Sequence, residues 1–383
     1  MFKIEDNKNG LRRGEIKTAH GKLTTPFFMP DATRGFVKLL SEEEVKSTRT
    51  PAMVVNTFHL YLQPGSDLIK KSTGIHKFMD CSRPLLSDSG GFQVFSLIHR
   101  SANMGSINDE KVIFKSPIDG SRHELTPERS IQIQFDLGVD MMVCLDDCPP
   151  NEFSRADLEK AVNRTIAWAH RCKVEYLKQL KIRKLTSAKR PLLFCVVQGG
   201  AELDLREKCA RQLALIGFDG YGFGARPIDK DGNFLAEVMF ETASYIPDKA
   251  IRFALGVGTP DDIYRCYLMG WDMFDCVIPT REGRHGRLFN FDSKFKGFKL
   301  PKNLKRPIFE APNFYKTLNI SNAEFIDDFS PINSQSKIPE LRRYTKAYLH
   351  HLFKVNEPLG QKLASLNNLE FFADLMEFLK KNK

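Results

Sequence analysis

The chain has 383 residues, enough for one large α/β barrel or for two domains, and its composition is that of an ordinary globular protein. A formal net charge of +10 is compatible with an anionic partner without requiring one. No apolar stretch is long enough to span a bilayer and the N-terminal residues lack the apolar core of a secretion signal, so no membrane partner and a cytoplasmic location are expected. The eight cysteines are scattered, several inside apolar runs such as Phe194-Cys195-Val196, which suits reduced, packed thiols.

From Gly14 to Thr25 the chain alternates and turns at Gly21, which predicts a hairpin ahead of the main fold. Short apolar runs then recur, each followed by a helix-compatible segment: Phe27–Met29, Ala52–Val55, Pro84–Leu86, Met141–Leu145, Leu192–Val197, Tyr221–Phe223, Phe253–Leu255 and Met273–Phe274. Eight such runs in βα alternation predict a (β/α)8 TIM barrel of the α/β class. An inserted segment between the third and fourth runs carries a hairpin pattern from Val112 to Ser121, turning at Asp119-Gly120. After the fourth run, Ser154 and Asp157 resemble a capping box opening a helix through Leu158, Ala161, Val162, Thr165, Ile166 and Ala169. Lys178 to Arg190 then reads as a solvated basic linker.

Past the eighth run, residues 289 to 316 interleave Phe291, Phe295, Phe298, Phe309 and Phe314 with Lys294, Lys296, Lys299, Lys302, Lys305 and Arg306. Such a segment either binds single-stranded nucleic acid or packs its rings inward beneath a solvated loop. Two C-terminal helices follow, one marked by Leu341, Tyr344, Tyr348 and Leu352, the other by Leu359, Leu363, Leu366, Phe372 and Leu379. The expected organisation is one catalytic domain over residues 1–383, with 289–383 as a basic insertion and a helical extension.

In a parallel barrel the strand C-termini share one face, so the polar residues after each run are site candidates. They are Asp88-Ser89-Gly90-Gly91-Phe92-Gln93, Asp146-Asp147-Cys148, Gln198-Gly199-Gly200, Gly224-Ala225, Gly256-Val257-Gly258 and Asp275. Any one of them alone reads first as a turn former or helix cap. Three carboxylates at one mouth raise the energy and need a use. Two near one sugar carbon suit retaining glycosyl transfer, and a third with Gln198 suits the hydrogen-bonding edge of a planar heterocycle. Gly90 and Gly91 would admit a flat ligand against the backbone, with Phe92 to stack on it. Asp275 lies in an apolar run that breaks at Pro279 into a basic loop holding Arg281, Arg284 and His285, placed to meet a nucleic-acid backbone.

These residues spell a known pattern. Asn56-Thr57-Phe58-His59-Leu60, Ser87-Asp88-Ser89-Gly90-Gly91-Phe92-Gln93, Leu125-Thr126-Pro127-Glu128, Val197-Gln198-Gly199-Gly200, Gly256-Val257-Gly258-Thr259-Pro260 and the stretch from Met273 to Gly286 together resemble tRNA-guanine transglycosylases. The match runs in order from about Gly14 to Arg287 and resumes near Leu318. The resemblance implies exchange of the wobble guanine in tRNA anticodon loops for a 7-deazaguanine, by default 7-aminomethyl-7-deazaguanine, in queuosine biosynthesis. It implies Asp275 as nucleophile and Asp88 as general acid/base. Ser89, Gly90, Gly91, Phe92, Asp146, Gln198, Gly224 and Leu255 become base-pocket positions. Gly256, Val257, Gly258, Thr259, Pro260, Asp261, Asp262, Thr280, Arg281, Glu282, Gly283 and Arg284 become RNA contacts. Two readings from other classes remain open: a relative acting on DNA, and a non-catalytic tRNA-binding subunit.

Two departures stand out. The family's structural zinc uses three cysteines and a histidine, and the matching positions hold Ser336, Ile338, Leu341 and Asn367. No zinc and no other cofactor are therefore expected, with His350 and His351 as surface helix residues. A homodimer, which the family builds partly around that module, is less supported here. Second, Gly224-Ala225-Arg226-Pro227 stands where bacterial members carry Gly-Gly-Leu-Ala, and Asp31 replaces an apolar residue, leaving the identity of the incoming base open.

Overall fold

The computed structural model describes residues 2–6, 11–299, 304 and 306–381. β1 (Phe2–Asp6), β2 (Arg13–Thr18) and β3 (Gly21–Thr24) form an antiparallel sheet ahead of the barrel; the expected hairpin is its β2–β3 part. The barrel strands are β4 (Phe27–Pro30), β5 (Met53–Val55) and β6 (Leu85–Ser87), then, after the insertion, five more. The insertion holds β7 (Gly105–Ile107), β8 (Val112–Lys115) and β9 (Arg122–Leu125), whose β8–β9 pair turns through Asp119-Gly120 as expected. The remaining barrel strands are β10 (Met141–Val143), β11 (Leu192–Val197), β12 (Gly220–Phe223), β13 (Ile251–Ala254) and β14 (Met273–Cys276).

The eight are parallel in the order β4-β14-β13-β12-β11-β10-β6-β5. The ring closes where Asp31 bridges Val54 and the Ala32 amide donates to the Val54 carbonyl at 2.7 Å. Every apolar run read from the sequence is one of these strands. Each is buried on both faces, inward against Phe27, Met29, Leu86, Phe194 and Phe253 and outward against helices, which is why the runs are continuous rather than alternating.

The N-terminal end of the barrel is tied by saturated carboxylates. Asp140, just before β10, accepts from the amides of His20 (3.1 Å) and Leu85 (3.0 Å), and meets His20 Nδ1 at 2.9 Å and His76 Nε2 at 3.1 Å. The two imidazoles stack at 3.6 Å. Those donors hold the Asp140 carboxyl far below the usual range despite its burial, and the carboxylate raises His20 in return. Arg12 forks onto Asp272 at 3.1 and 3.2 Å, fastening the segment before β2 to the same floor.

The helix capped by Ser154 runs from Arg155 to Ile182, so the expected linker begins inside it. Tyr176 and Gln179 are buried and carry the apolar face further than the basic composition suggests. Nor is the rest of that stretch simply solvated: Arg183 pairs with Asp136 and Arg190 forks onto Asp219, each at 2.6 Å.

β15 (Arg287–Phe291) and β16 (Tyr315–Asn319) form a ribbon beyond the barrel. Between them the inward alternative holds for four of the five phenylalanines. Phe298 and Phe314 are buried, and Phe291 and Phe295 stack among themselves and against Phe371 and Phe378. Phe309 alone of that set is exposed, with Lys294, Lys296, Lys299 and Arg306. Lys302 and Lys305 lie outside the described residues.

The first expected C-terminal helix is two, Pro339–Arg343 and Lys346–Lys354, because Tyr344 is extended and Thr345 recaps the chain through the Tyr348 amide. The last helix, Pro358–Lys381, sends Asn368 to the carbonyls of Pro279 and Arg287, both at 2.9 Å. No described helix is long and apolar enough to cross a membrane.

Candidate active site

The C-terminal ends of the barrel strands open into a cavity of about 750 Å³ lined by five carboxylates, Asp31, Asp88, Asp146, Asp262 and Asp275. Asp275 rises from β14 behind buried Met273 and Phe274, and accepts from the Gly256 amide at 3.0 Å. Burial pushes its carboxyl up to about 7, the Gly256 amide working against this and the charge of Asp31 adding to it. Asp88 follows β6 and accepts from the amides of Thr57 (3.0 Å) and Gly90 (3.2 Å) and from the Asn56 side chain. It too is pushed up to about 7, first by burial and then by the charges of Asp31 and Asp275, against the two amides. Among the described residues neither carboxylate forms an ion pair.

Across the mouth, Gln198 on the β11 side donates to Asp146 after β10 at 2.7 Å. Burial lifts Asp146 to about 6, with Gln198 opposing and Asp147 reinforcing. Gln198 Oε1 is buried and has no hydrogen-bond partner among the described residues, so this wall offers unsatisfied acceptors to a ligand that donates. A Cβ on Gly224 would stand 2.4 Å from the Gln198 amide nitrogen, so only glycine lets Gln198 take this position. Gly90 has φ +80°, and its missing side chain lets the loop under Asp88 lie against the Phe58 backbone. Phe92, 53% exposed on the rim, presents a ring on which a planar ligand can stack.

The cavity gathers Asp88, Ser89, Phe92, Asp146, Gly224, Leu255, Gly256, Val257, Gly258, Thr259, Asp262, Asp275 and Arg281 from the sequence candidates. Gln198 stands just behind it, and Gly90 and Gly91 lie beneath as backbone supports. The rest of the expected RNA segment is less uniform. Pro260 is buried, Asp262 is bound to Arg265 at 2.6 Å, and Asp261 accepts from the Tyr315 hydroxyl at 2.7 Å. The basic loop after β14 is instead a short helix, Ile278–Arg284, with Pro279 in its first turn where no amide is needed. Its Thr280 and Gly283 are buried against the last helix, and a Cβ on Gly283 would meet the Ser365 backbone at 2.8 Å. Glu282 pairs with Arg287 at 3.4 Å and with Arg281 Nε at 3.6 Å; Arg281 is exposed and Arg284 half-buried.

Sequence reasoning did not assign Thr33, Asn56 and His59 to the site, although all three line it; Asp31, read as a departure in the pocket, and Cys148, read among the residues after the fourth run, line it too. The signal was present for Asn56, which directly follows the second apolar run, and Asp31 stands two residues after the first run as Asp88 does after the third. Ala225 holds φ +74°, a left-handed conformation that costs a side chain about 1 kcal/mol, and Asn151 clamps the loop behind it at the carbonyls of Arg226 and Ile228.

The four positions matching the zinc ligands do not fit the metal. Ser336 bonds to Glu370, Ile338 and Leu341 are in the hydrophobic core, and Asn367 donates to the Phe289 carbonyl at 3.0 Å. His350, expected at the surface, is buried with Nδ1 2.7 Å from the Ile320 carbonyl; His351 is exposed.

A parallel barrel whose mouth pairs two carboxylates of near-neutral pKa beside a polar base-sized wall is the architecture of a glycosyl-transferring enzyme. A family model described as Queuine tRNA-ribosyltransferase matches residues 6–382. Curated relatives of that name are similar over nearly the whole chain. The one from Thermoanaerobacter pseudethanolicus is 38% identical over 376 residues, 98% of this chain and 91% of the relative. Those from Halothermothrix orenii and Staphylococcus haemolyticus are 37% and 36% identical, covering 96% and 97% of this chain and 89% of each relative. The chain belongs to the queuine tRNA-ribosyltransferase family and is a pentosyltransferase.

Proposed function

We propose that this chain exchanges the wobble guanine of tRNA anticodons for a 7-deazaguanine in queuosine biosynthesis, through a covalent ribosyl-Asp275 intermediate. One observation carries the mechanism: Asp88 and Asp275 line one cavity and each is pushed up to about 7, so near neutrality the form with Asp88 protonated and Asp275 ionised is populated. The ionised Asp275 attacks C1′ of the ribose while protonated Asp88 gives its proton to the departing guanine. The incoming base then attacks C1′, its ring N–H passing the proton back to Asp88 as the C1′–Asp275 bond breaks. Two inversions retain configuration.

Asp146 and Gln198 accept from the donor edge of the base, and Phe92 stacks on its face. Arg281 and Arg284 hold the anticodon-loop phosphates, with the glycine-rich turn at Gly256–Gly258 beneath. We take 7-aminomethyl-7-deazaguanine as the default incoming base, and read residues 1–383 as one zinc-free catalytic domain acting in the cytoplasm.

Labelled guanine incubated with an anticodon stem-loop RNA or a matching DNA tests this, with nucleoside mass spectrometry after adding the deazaguanine. Label entering RNA and leaving on exchange is expected; label in DNA alone, or in neither, overturns the reading. One tightly bound zinc per chain in a metal analysis overturns the zinc-free part.

A further inference from the structure

Of the five cavity carboxylates this mechanism leaves Asp31 and Asp262 unused, and Asp262 is already held by Arg265. Asp31 follows β4, in which Met29 is the register partner of Asp275 on β14. Side chains alternate along a strand, so Asp31 faces the mouth on the same side as Met29 and Asp275, one pleat nearer the rim. On its other flank it bridges Val54, two residues before Asn56, whose amide holds Asp88. Asp31 therefore stands between the two reacting carboxylates and lines their cavity. Its hydrogen-bond donor is the Thr33 hydroxyl at 2.6 Å, and among the described residues it forms no ion pair. A third carboxylate beside two others raises the energy of the mouth, and one hydroxyl leaves most of its acceptor capacity open.

The ring order identifies what fills that capacity. Counted along the barrel, β11 with Gln198 is four strands from β4 in either direction, and β10 with Asp146 is next to it. A base whose donor edge meets that wall leaves its sugar on the β4–β14 side. Asp275 must reach C1′ there, and the 2′-hydroxyl sits on the adjacent carbon. We propose that Asp31 accepts a hydrogen bond from the 2′-hydroxyl of the target nucleotide and is the residue by which this chain reads ribose against 2′-deoxyribose. The proposal rests on the guanine-exchange reading. Bonds to this hydroxyl strengthen as the sugar gains oxocarbenium character, so the contribution falls on kcat rather than KM. Asp31 also acts on Asp88, being one of the charges that keep it protonated.

The test compares an anticodon stem-loop RNA with the same loop carrying a single 2′-deoxyguanosine at the exchanged position. Wild-type protein prefers the all-ribose loop by about 100-fold in kcat/KM, the usual value of a hydrogen bond to a charged acceptor. Because deoxyribosyl bonds are intrinsically the more labile, any such preference comes from the protein. Asp31→Val brings the preference to within about threefold, through kcat on the ribose loop, with KM little changed. Asp31→Asn keeps an acceptor oxygen and most of the preference, but its activity falls off at lower pH on the alkaline side because Asp88 has lost a neighbouring charge. A wild type without preference, or a folded Asp31→Val with an undiminished one, overturns the assignment. Failure of the wild type to exchange guanine in the all-ribose loop would instead overturn the exchange reading beneath it.

Discussion

The two ends of the barrel treat the same side chain in opposite ways. At the N-terminal end Asp140 has four nitrogen neighbours, and its pKa falls far below the usual value although it is buried. At the C-terminal end Asp88 and Asp275 are half-buried at the cavity mouth, with amide donors only and the charge of Asp31 acting on both, and both rise to about 7. Burial is common to both ends; donor supply decides the sign. The floor thus holds a carboxylate that stabilises the fold, while the mouth holds carboxylates that cost stability.

Breaking the contrast at the mouth has the largest expected effect. Asp275→Asn lowers guanine exchange by at least about 10⁴-fold while the melting temperature stays level or rises. Retention of a tenth of the activity would remove Asp275 from the chemistry. At the floor the pattern reverses: Asp140→Ala costs about 3–5 kcal/mol in urea unfolding, because two imidazoles and two amides lose a buried acceptor. Folded Asp140→Ala protein keeps kcat within about threefold, and a collapse of kcat at full stability would show that the ends are not independent.

The smallest effect sharpens the comparison through pH. Exchange follows a bell centred near 7, rising as Asp275 ionises and falling as Asp88 deprotonates, with both limbs belonging to the pair. Between the ordinary value of 3.8 and about 7 the native mouth keeps protons that the unfolded chain has released, so its contribution makes stability fall as pH rises. Asp140 works in the other direction, stabilising above 3.8 and losing that contribution as pH falls. His20, raised above 6.5, stabilises below that value and loses its contribution as pH climbs through its folded pKa. Melting temperatures across pH 4 to 7 should decline less steeply in Asp275→Asn than in wild type; equal slopes would mean that Asp275 does not titrate there.

The barrel was legible because burial on both faces writes a strand as an unbroken apolar run, and all eight runs could be read that way. The mouth was legible for a related reason: the residue after each run must emerge on one face, which located Asp88, Asp146, Gln198 and Asp275 before any geometry. The floor was not. Asp140 finds His20 across 120 residues, and nothing local marks a carboxylate for a partner so distant. The phenylalanines from Phe291 to Phe314 show a different limit, since alternation of rings and lysines is identical for a stacking platform and a packed flap. Phe371 and Phe378 on the last helix decide between them.

That last helix also sets an order of events during synthesis. Asn368 holds the Pro279 carbonyl from 89 residues downstream, and Gly283 rests on Ser365. A ribosome therefore delivers the Asp275 strand well before the brace under the segment that follows it. While the chain is still being made, Asp275 is present but the Arg281 and Arg284 side of its mouth has nothing to stand on. The segment Ile278–Arg284 thus gains its support only when Pro358–Lys381 has emerged and docked.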